Sequence, residues 1–265
     1  MTGGAGFIGS NIVDSLVEEG HEVLVVDDLS TGRRENLHES VRLEVVDVST
    51  PKISGLFNDF KPQWVCHHAA QIDVRKSIKD PAFDAKVNIM GGLRVLDNCV
   101  KHEVEKLVYA SSGGAVYGEP EYLPADEKHT IRPQSAYGVS KYSLERYLKL
   151  YYDNHGLEYV SLRYSNVYGP RQDPLGEAGV VAVFTEKFLN DESPTIYGDG
   201  SQTRDFVFVD DIVEANLKAF KYEGGLHVFN IGSGKETSIN NLAEKIRSAT
   251  GSEAEISYGR ERKGE

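Results

Sequence analysis

From its first residues to about position 163, the chain alternates short apolar runs rich in β-branched residues with segments of helical period. Such a rhythm belongs to βαβ units, because a parallel strand reaches its neighbour only through a crossover, usually a helix. The runs Glu22–Val26, Val41–Val46, Trp64–His68, Lys106–Ala110 and Tyr159–Leu162 read as strands. Ile8, Ile12, Val13, Leu16 and Val17 share one helical stripe that closes at Gly20, Pro81 opens a helix to about His102, and Ser135 caps another to about Asn154. The expectation is an α/β protein with a doubly wound parallel sheet.

After residue 163 the rhythm changes. The Gly/Pro-rich stretch Tyr168–Gly179 precedes a helix over Val180–Leu189, a strand at Phe206–Val209, a helix capped by Ser238 and a short strand over Glu255–Tyr258. Residues 1–167 are therefore expected to form the sheet domain. Residues 168–265 form mainly a smaller, partly interleaved substrate region, from which about 204–232 returns to the sheet. A central strand should lead into the opening glycine turn, yet only Met1 and Thr2 precede it. With the abrupt close at Lys263-Gly264-Glu265, a chain longer at both ends is expected.

Charge narrows the partners. Of 265 residues, 29 are Lys or Arg against 41 Asp or Glu, a net charge of −12. That balance argues against nucleic acid and against anionic membrane surfaces, so an anionic ligand must be held by local donors. No apolar run approaches the ~18 residues of a membrane span, and the start lacks the regions of a signal peptide. Two cysteines, Cys66 and Cys99, without a CxxC fit a reducing, cytoplasmic setting. Eight histidines without an HExxH give no metal site.

The chemistry gathers at strand ends. Gly3, Gly6 and Gly9 open directly into the first helix, where backbone N–H groups and the positive helix end suit a pyrophosphate. Eighteen residues after Gly9, Asp27 ends a strand, where a carboxylate accepts both hydroxyls of an adenosine ribose and repels a 2′-phosphate. NAD is favoured over NADP, although Arg33 and Arg34 are near enough in sequence to pair with a phosphate. Asp47-Val48 ends the next strand in position to meet an adenine, and His67-His68-Ala69-Ala70 brings small residues where a cofactor backbone passes. Tyr137 and Lys141 fall one helical turn apart, and of 14 tyrosines only Tyr137 has a lysine four residues on. An ammonium there can stabilise a phenolate, which lets a group of ordinary pKa ~10 act as a base. Ser111 and Ser112 close the strand Lys106–Ala110, at the edge where open α/β sheets hold ligands.

Thr2–Gly9, Asp27-Asp28-Leu29-Ser30-Thr31-Gly32, Tyr137–Lys141, Arg163–Arg171 and Arg204-Asp205-Phe206 together resemble the extended short-chain dehydrogenases/reductases, most closely the UDP-glucose (UDP-galactose) 4-epimerases. The resemblance implies a Rossmann-type fold and an isomerase that inverts C4 of a UDP-sugar through a transient 4-keto intermediate, with NAD as cofactor. It implies catalytic roles for Ser112, Tyr137 and Lys141, with Ser111 left as the alternative serine because Gly113-Gly114-Ala115 makes the stretch one residue longer than usual. By the same resemblance Gly3, Gly6, Phe7, Ile8, Gly9, Asp27, Asp47, Val48, Ala69, Ala70, Tyr137, Lys141 and Tyr164 bind the cofactor. Ser112, Asn166, Arg204 and Arg262 bind substrate, and Glu265 stands where an aspartate usually meets the nucleotide ribose. Related 4,6-dehydratases carry an acid and a base after the serine or threonine, and related decarboxylases a glutamate; this chain has glycines and alanine. A homodimer through helices 81–102 and 135–154 is implied as well. The alternatives are a short-chain oxidoreductase with net redox turnover, or a 4-epimerase of UDP-N-acetylglucosamine or UDP-glucuronate.

Overall fold

A computed structural model describes residues 1–174, 179–225 and 227–260. Its strands are β1 (Leu24–Asp27), β2 (Arg42–Val45), β3 (Trp64–His67), β4 (Lys106–Ser112), β5 (Glu158–Tyr164), β6 (Asn166–Tyr168), β7 (Thr195–Tyr197), β8 (Thr203–Phe208), β9 (Val228–Ile231), β10 (Glu236–Ser238) and β11 (Ser257–Gly259). Its α-helices are α1 (Phe7–Glu18), α2 (Ile53–Phe60), α3 (Val74–Lys79), α4 (Pro81–Ala85), α5 (Gly91–Lys101), α6 (Gly113–Tyr117), α7 (Ala136–His155), α8 (Val180–Leu189), α9 (Val209–Lys221) and α10 (Ile239–Thr250). They divide into a larger unit, Met1–Ser165 with Asp210–Ile231, and a smaller one, Asn166–Val209 with Gly232–Glu265.

The larger unit holds the parallel sheet foreseen from the alternation. β1 pairs with β2, and β3, β4, β5 and β9 follow one another in parallel. Thr2 joins the two parts, bridging Val26 on one side and His67 on the other. Met1 lies in the same row: its amino group donates to Leu24 O at 2.8 Å, and Val26 N donates to Met1 O at 2.8 Å. A cavity of about 340 Å³ adjoins this row, lined by Met1, Leu24, Phe57, Trp64 and Val65 among others. Central strands buried on both faces read as near-continuous apolar runs. Val65, Leu107 and Tyr159 pack with Val95, Leu96 and Cys99 of α5 and Leu144 and Leu148 of α7, while Val25 packs with Val13 of α1.

The helix expected from Pro81 to His102 is interrupted. Between α4 and α5 the segment Lys86–Met90 is π-helical, a form frequent at functional sites. It carries Asn88, which is buried. Gly92 then lets α5 meet α7, since a Cβ there would stand 2.4 Å from Leu144 Cδ2.

In the smaller unit β6 and β8 are parallel, β10 is antiparallel to β8, and β11 is parallel to β7. Phe184 and Phe188 of α8 pack with Ile196 and with Leu242, Ala243 and Ile246 of α10. The return to the sheet, expected from about 204, begins at Asp210. Thr203–Phe208 stays in the smaller unit because its backbone pairs on both sides there, with β6 and β10. Asp205 reinforces this, accepting from Ser233 N at 2.9 Å, Ser233 Oγ at 2.6 Å and Gly234 N at 2.9 Å.

Candidate active site

The glycine turn is imposed by close packing at two of its three positions. Gly3 has φ +66°, and a Cβ there would lie 2.5 Å from Ala69 N; a Cβ at Gly9 would lie 2.1 Å from Gly3 O. Both are backbone contacts that cannot yield. Gly6 is different: its Cβ would touch only Gly3 O, at an ordinary 3.5 Å. Gly6 is also the N-cap of α1, which has no side-chain cap and no acidic residue in its first turn. The positive end of α1, with the N–H groups of its first turn at Phe7, Ile8 and Gly9, is thereby left for an anion.

Asp27 ends β1 and is buried. Its Oδ2 accepts from Ala5 N at 3.0 Å and its Oδ1 from Leu29 N at 2.9 Å. Burial raises its pKa, opposed by those two N–H groups. A carboxylate offers about four acceptor positions, so one remains on each oxygen for a ribose diol. An uncapped helix end and a carboxylate at the neighbouring strand end fit the two polar parts of NAD. Ala69 and Ala70 follow β3, with Ala69 N donating to Thr2 Oγ1 at 3.2 Å. Asp47 lies beyond β2, its carboxylate accepting from Ser49 N at 2.8 Å and Ser49 Oγ at 2.9 Å, and the Val48 side chain sits in the core. By the same count the Asp47 carboxylate keeps an acceptor position on each oxygen, while what Val48 offers a ligand is mainly backbone. Tyr164 is similar: its hydroxyl accepts from Asn216 Nδ2 at 2.7 Å and lies 3.0 Å from His68 Nε2.

At the carboxyl end of β4 the structure brings Ser112, Tyr137 and Lys141 together. Ser135 starts α7 as its cap, accepting from Gly138 N at 3.1 Å. One turn later Lys141 Nζ lies 5.7 Å from the Tyr137 ring centre and 5.0 Å from that of Tyr109, and it donates to Ala110 O at 2.8 Å. The Ser112 hydroxyl adjoins the Tyr137 phenol and favours its ionised form. Ser111 points the other way, as successive strand residues do. It donates to Glu145 Oε1 at 2.6 Å, inside a buried cluster where Arg163 Nη2 meets Glu145 Oε2 at 2.6 Å. Strand alternation thus separates the two serines.

Burial lowers the Lys141 pKa to about 8, with Asp84 and Glu145 opposing. Burial and then Asp84 push Tyr137 up, with Ser112 opposing. His67 and His68 are pushed down to about 3, first by burial and then by Lys141, so both are neutral near pH 7. Among the described residues no group of His, Cys, Asp and Glu is placed to hold a metal. The cluster can therefore move a proton at Tyr137, with a serine hydroxyl and an ammonium to steady the phenolate.

Asn166 and Arg204 belong to the smaller unit, on the paired strands β6 and β8, and both are exposed. Asn166 Nδ2 donates to Asp205 O at 3.3 Å and Arg204 Nη1 to Thr203 O at 2.8 Å. Arg262 and Glu265 lie outside the described residues. Sequence reading passed over Gln71, Asp84 and Asn88, a buried polar group beside the catalytic cluster. Its signal was present: Asp84 and Asn88 are four apart on the inner side of an otherwise apolar helical pattern.

Known proteins resemble the chain over nearly its whole length. Residues 1–232 match the family model described as NAD dependent epimerase/dehydratase family. The UDP-glucose 4-epimerase of Thermotoga maritima, solved with UDP-glucose, is 46% identical, with a TM-score of 0.96 over 99% of this chain and 85% of that one. That of Thermus thermophilus, solved with NAD, is 45% identical, with a TM-score of 0.93 over 100% and 86%. A UDP-N-acetylglucosamine 4-epimerase of Methanobrevibacter ruminantium is 38% identical, with a TM-score of 0.94 over 100% and 85%.

Proposed function

The chain belongs to the NAD dependent epimerase/dehydratase family, and from that membership we propose that it inverts C4 of a nucleotide sugar, interconverting UDP-glucose and UDP-galactose with NAD as cofactor. One observation carries the reading. Tyr137 has the Ser112 hydroxyl as a polar neighbour and the Lys141 ammonium 5.7 Å from its ring centre, and α6, which follows Ser112, is Gly113-Gly114-Ala115-Val116-Tyr117. Elimination of water would need an acid and a base beside the serine, and epimerisation needs only one proton acceptor.

Tyr137 takes the proton from the sugar 4-hydroxyl and later returns it. Ser112 shares a hydrogen bond with that hydroxyl, and Lys141 stabilises the phenolate. Bound NAD supplies a reversible hydride acceptor for C4. Gly3, Gly6, Phe7, Ile8 and Gly9 hold its pyrophosphate and Asp27 an adenosine ribose. Asp47 meets the adenine with its carboxylate, and Val48, Ala69, Ala70 and Tyr164 contribute mainly backbone. Asn166 and Arg204 hold the nucleotide diphosphate, which anchors the 4-keto sugar while it turns to present its other face.

The protein works as a homodimer through α5 and α7 and their neighbouring turns, where Met90, Val139, Tyr147 and Leu150 are exposed. A cytoplasmic setting accords with two free, buried cysteines, and no described helix is long and apolar enough to cross a membrane. The test is NMR analysis of purified protein incubated separately with UDP-glucose, UDP-N-acetylglucosamine and UDP-glucuronate. The 4-epimer of UDP-glucose at equilibrium supports the reading. An oxidised sugar accumulating with reduced cofactor in solution replaces it with a net oxidoreductase.

A further inference from the structure

Four charged side chains are buried around the end of β4: Asp84 at 0% exposure, Lys141 at 4%, and Glu145 and Arg163 at 5% each. A buried charge needs a counter-charge or it becomes neutral. Glu145 and Arg163 satisfy each other through two hydrogen bonds, Nε to Oε1 at 2.9 Å and Nη2 to Oε2 at 2.6 Å. Lys141 and Asp84 remain. Lys141 Nζ hydrogen-bonds only a neutral group, Ala110 O. Asp84 likewise hydrogen-bonds neutral donors: Gln71 Nε2 at 2.9 Å and Asn88 Nδ2 at 3.1 Å on Oδ1, and Ser140 Oγ at 2.6 Å on Oδ2.

We propose that Asp84 is a positioning residue whose carboxylate is the counter-charge that keeps Lys141 an ammonium beside Tyr137. The Ser140 hydroxyl, on the residue before Lys141, donates to Asp84 Oδ2 at 2.6 Å, so the carboxylate is packed against the helix that carries the ammonium. The other titratable groups around Lys141 do not fill this role. Tyr137 on its own helix and Tyr109 on β4 are phenols, His67 and His68 beyond them are neutral, and Glu145 is taken by Arg163. The π-helical turn and Gln71 supply the amide donors that make a buried carboxylate tolerable at this spot. The proposal rests on Tyr137 being the proton acceptor.

The test is Asp84→Asn. An asparagine oxygen still accepts from Gln71 and Asn88, and its NH₂ can donate to a reoriented Ser140 hydroxyl, so the charge goes while the packing stays. Asp84 raises the pKa of both Lys141 and Tyr137. Without it, both limbs of the kcat/KM profile for UDP-glucose move to lower pH, by about half a unit or more. Ser140→Ala removes one hydrogen bond from the same carboxylate but leaves the charge, and its profile stays where the wild type has it. A profile of Asp84→Asn that is only scaled down, with unmoved limbs, overturns the proposal. A second readout needs no activity and covers poor folding of the single variant. In a Lys141→Met background Asp84 has lost its counter-charge, so adding Asp84→Asn raises the melting temperature, whereas in the wild type it lowers it. Equal shifts in both backgrounds also overturn the proposal. If the wild type epimerises nothing, or Tyr137→Phe keeps its activity, the reaction reading fails while the melting cycle still reports on the Asp84–Lys141 pair.

Discussion

Tyr137→Phe removes one oxygen and leaves the ring. That oxygen has one polar neighbour that favours its ionised form, Ser112, and Lys141 Nζ lies 5.7 Å from the ring centre, so at most one hydrogen bond is lost. The stability cost is thus at most one net hydrogen bond, about 0.5–1.5 kcal/mol. At about 2–4 °C per kcal/mol for a chain of this size, the melting temperature falls by no more than about 6 °C. The rate cost is of another order: loss of the only proton acceptor at the 4-hydroxyl lowers turnover by about 10²–10⁴-fold, or about 2.7–5.5 kcal/mol of barrier. NAD still binds, because Asp27 and the end of α1 are untouched and Tyr137 is only one of the residues that meet the cofactor. The assay pairs initial rates of UDP-galactose formation with thermal unfolding and cofactor titration on the same preparation. Turnover within about threefold of wild type refutes the reasoning, as does a rate loss accompanied by an equally large loss of fold.

Three further outcomes follow from the same contacts. Gly6→Ala keeps the wild-type melting temperature within about 2 °C but weakens NAD binding about tenfold or more, while Gly3→Ala, at φ +66° with its Cβ 2.5 Å from Ala69 N, unfolds several degrees earlier; calorimetry and melting curves on the pair read both. His67 and His68 titrate near 3 in the folded protein against about 6.5 unfolded, so the unfolded state binds more protons across that window and stability falls as pH drops through it; urea titrations show a shallower acid loss for His68→Asn than for wild type, and equal slopes contradict the account. Arg204→Ala raises KM for UDP-sugars at least about tenfold with kcat little changed, since a diphosphate on a chain of net charge −12 depends on local cations; an unmoved KM removes Arg204 from the substrate site.

What the sequence disclosed was whatever depends on local spacing. Gly3 and Gly9 are forced by contacts within a short turn and its neighbour, and Tyr137 and Lys141 by one helical turn, so each was visible in the order of residues. Asp27 was legible because a strand end fixes its place. The buried cluster was not. Gln71, the Asp84–Asn88 stretch and Ser140 meet from three parts of the chain, and although the spacing of Asp84 and Asn88 places both on one helical face, nothing local shows that Gln71 and Ser140 meet them there. The return to the sheet, expected from about 204, begins later for a related reason: strand pairing is non-local, and nothing in β8 itself says that both its partners lie in the smaller unit. The choice between Ser111 and Ser112 waited on Glu145 and Arg163, which hold Ser111 on the opposite face of the strand.

The central claim is that the hydrogen on C4 leaves and returns to the same carbon within one binding event, while only the hydroxyl proton passes through Tyr137. UDP-glucose carrying deuterium at C4, converted in ordinary water, tests it most directly. The account predicts UDP-galactose that retains the deuterium at C4, with the rate reduced by the heavier isotope if that transfer limits turnover. Deuterium lost to solvent, or found on a second sugar added as acceptor, contradicts it.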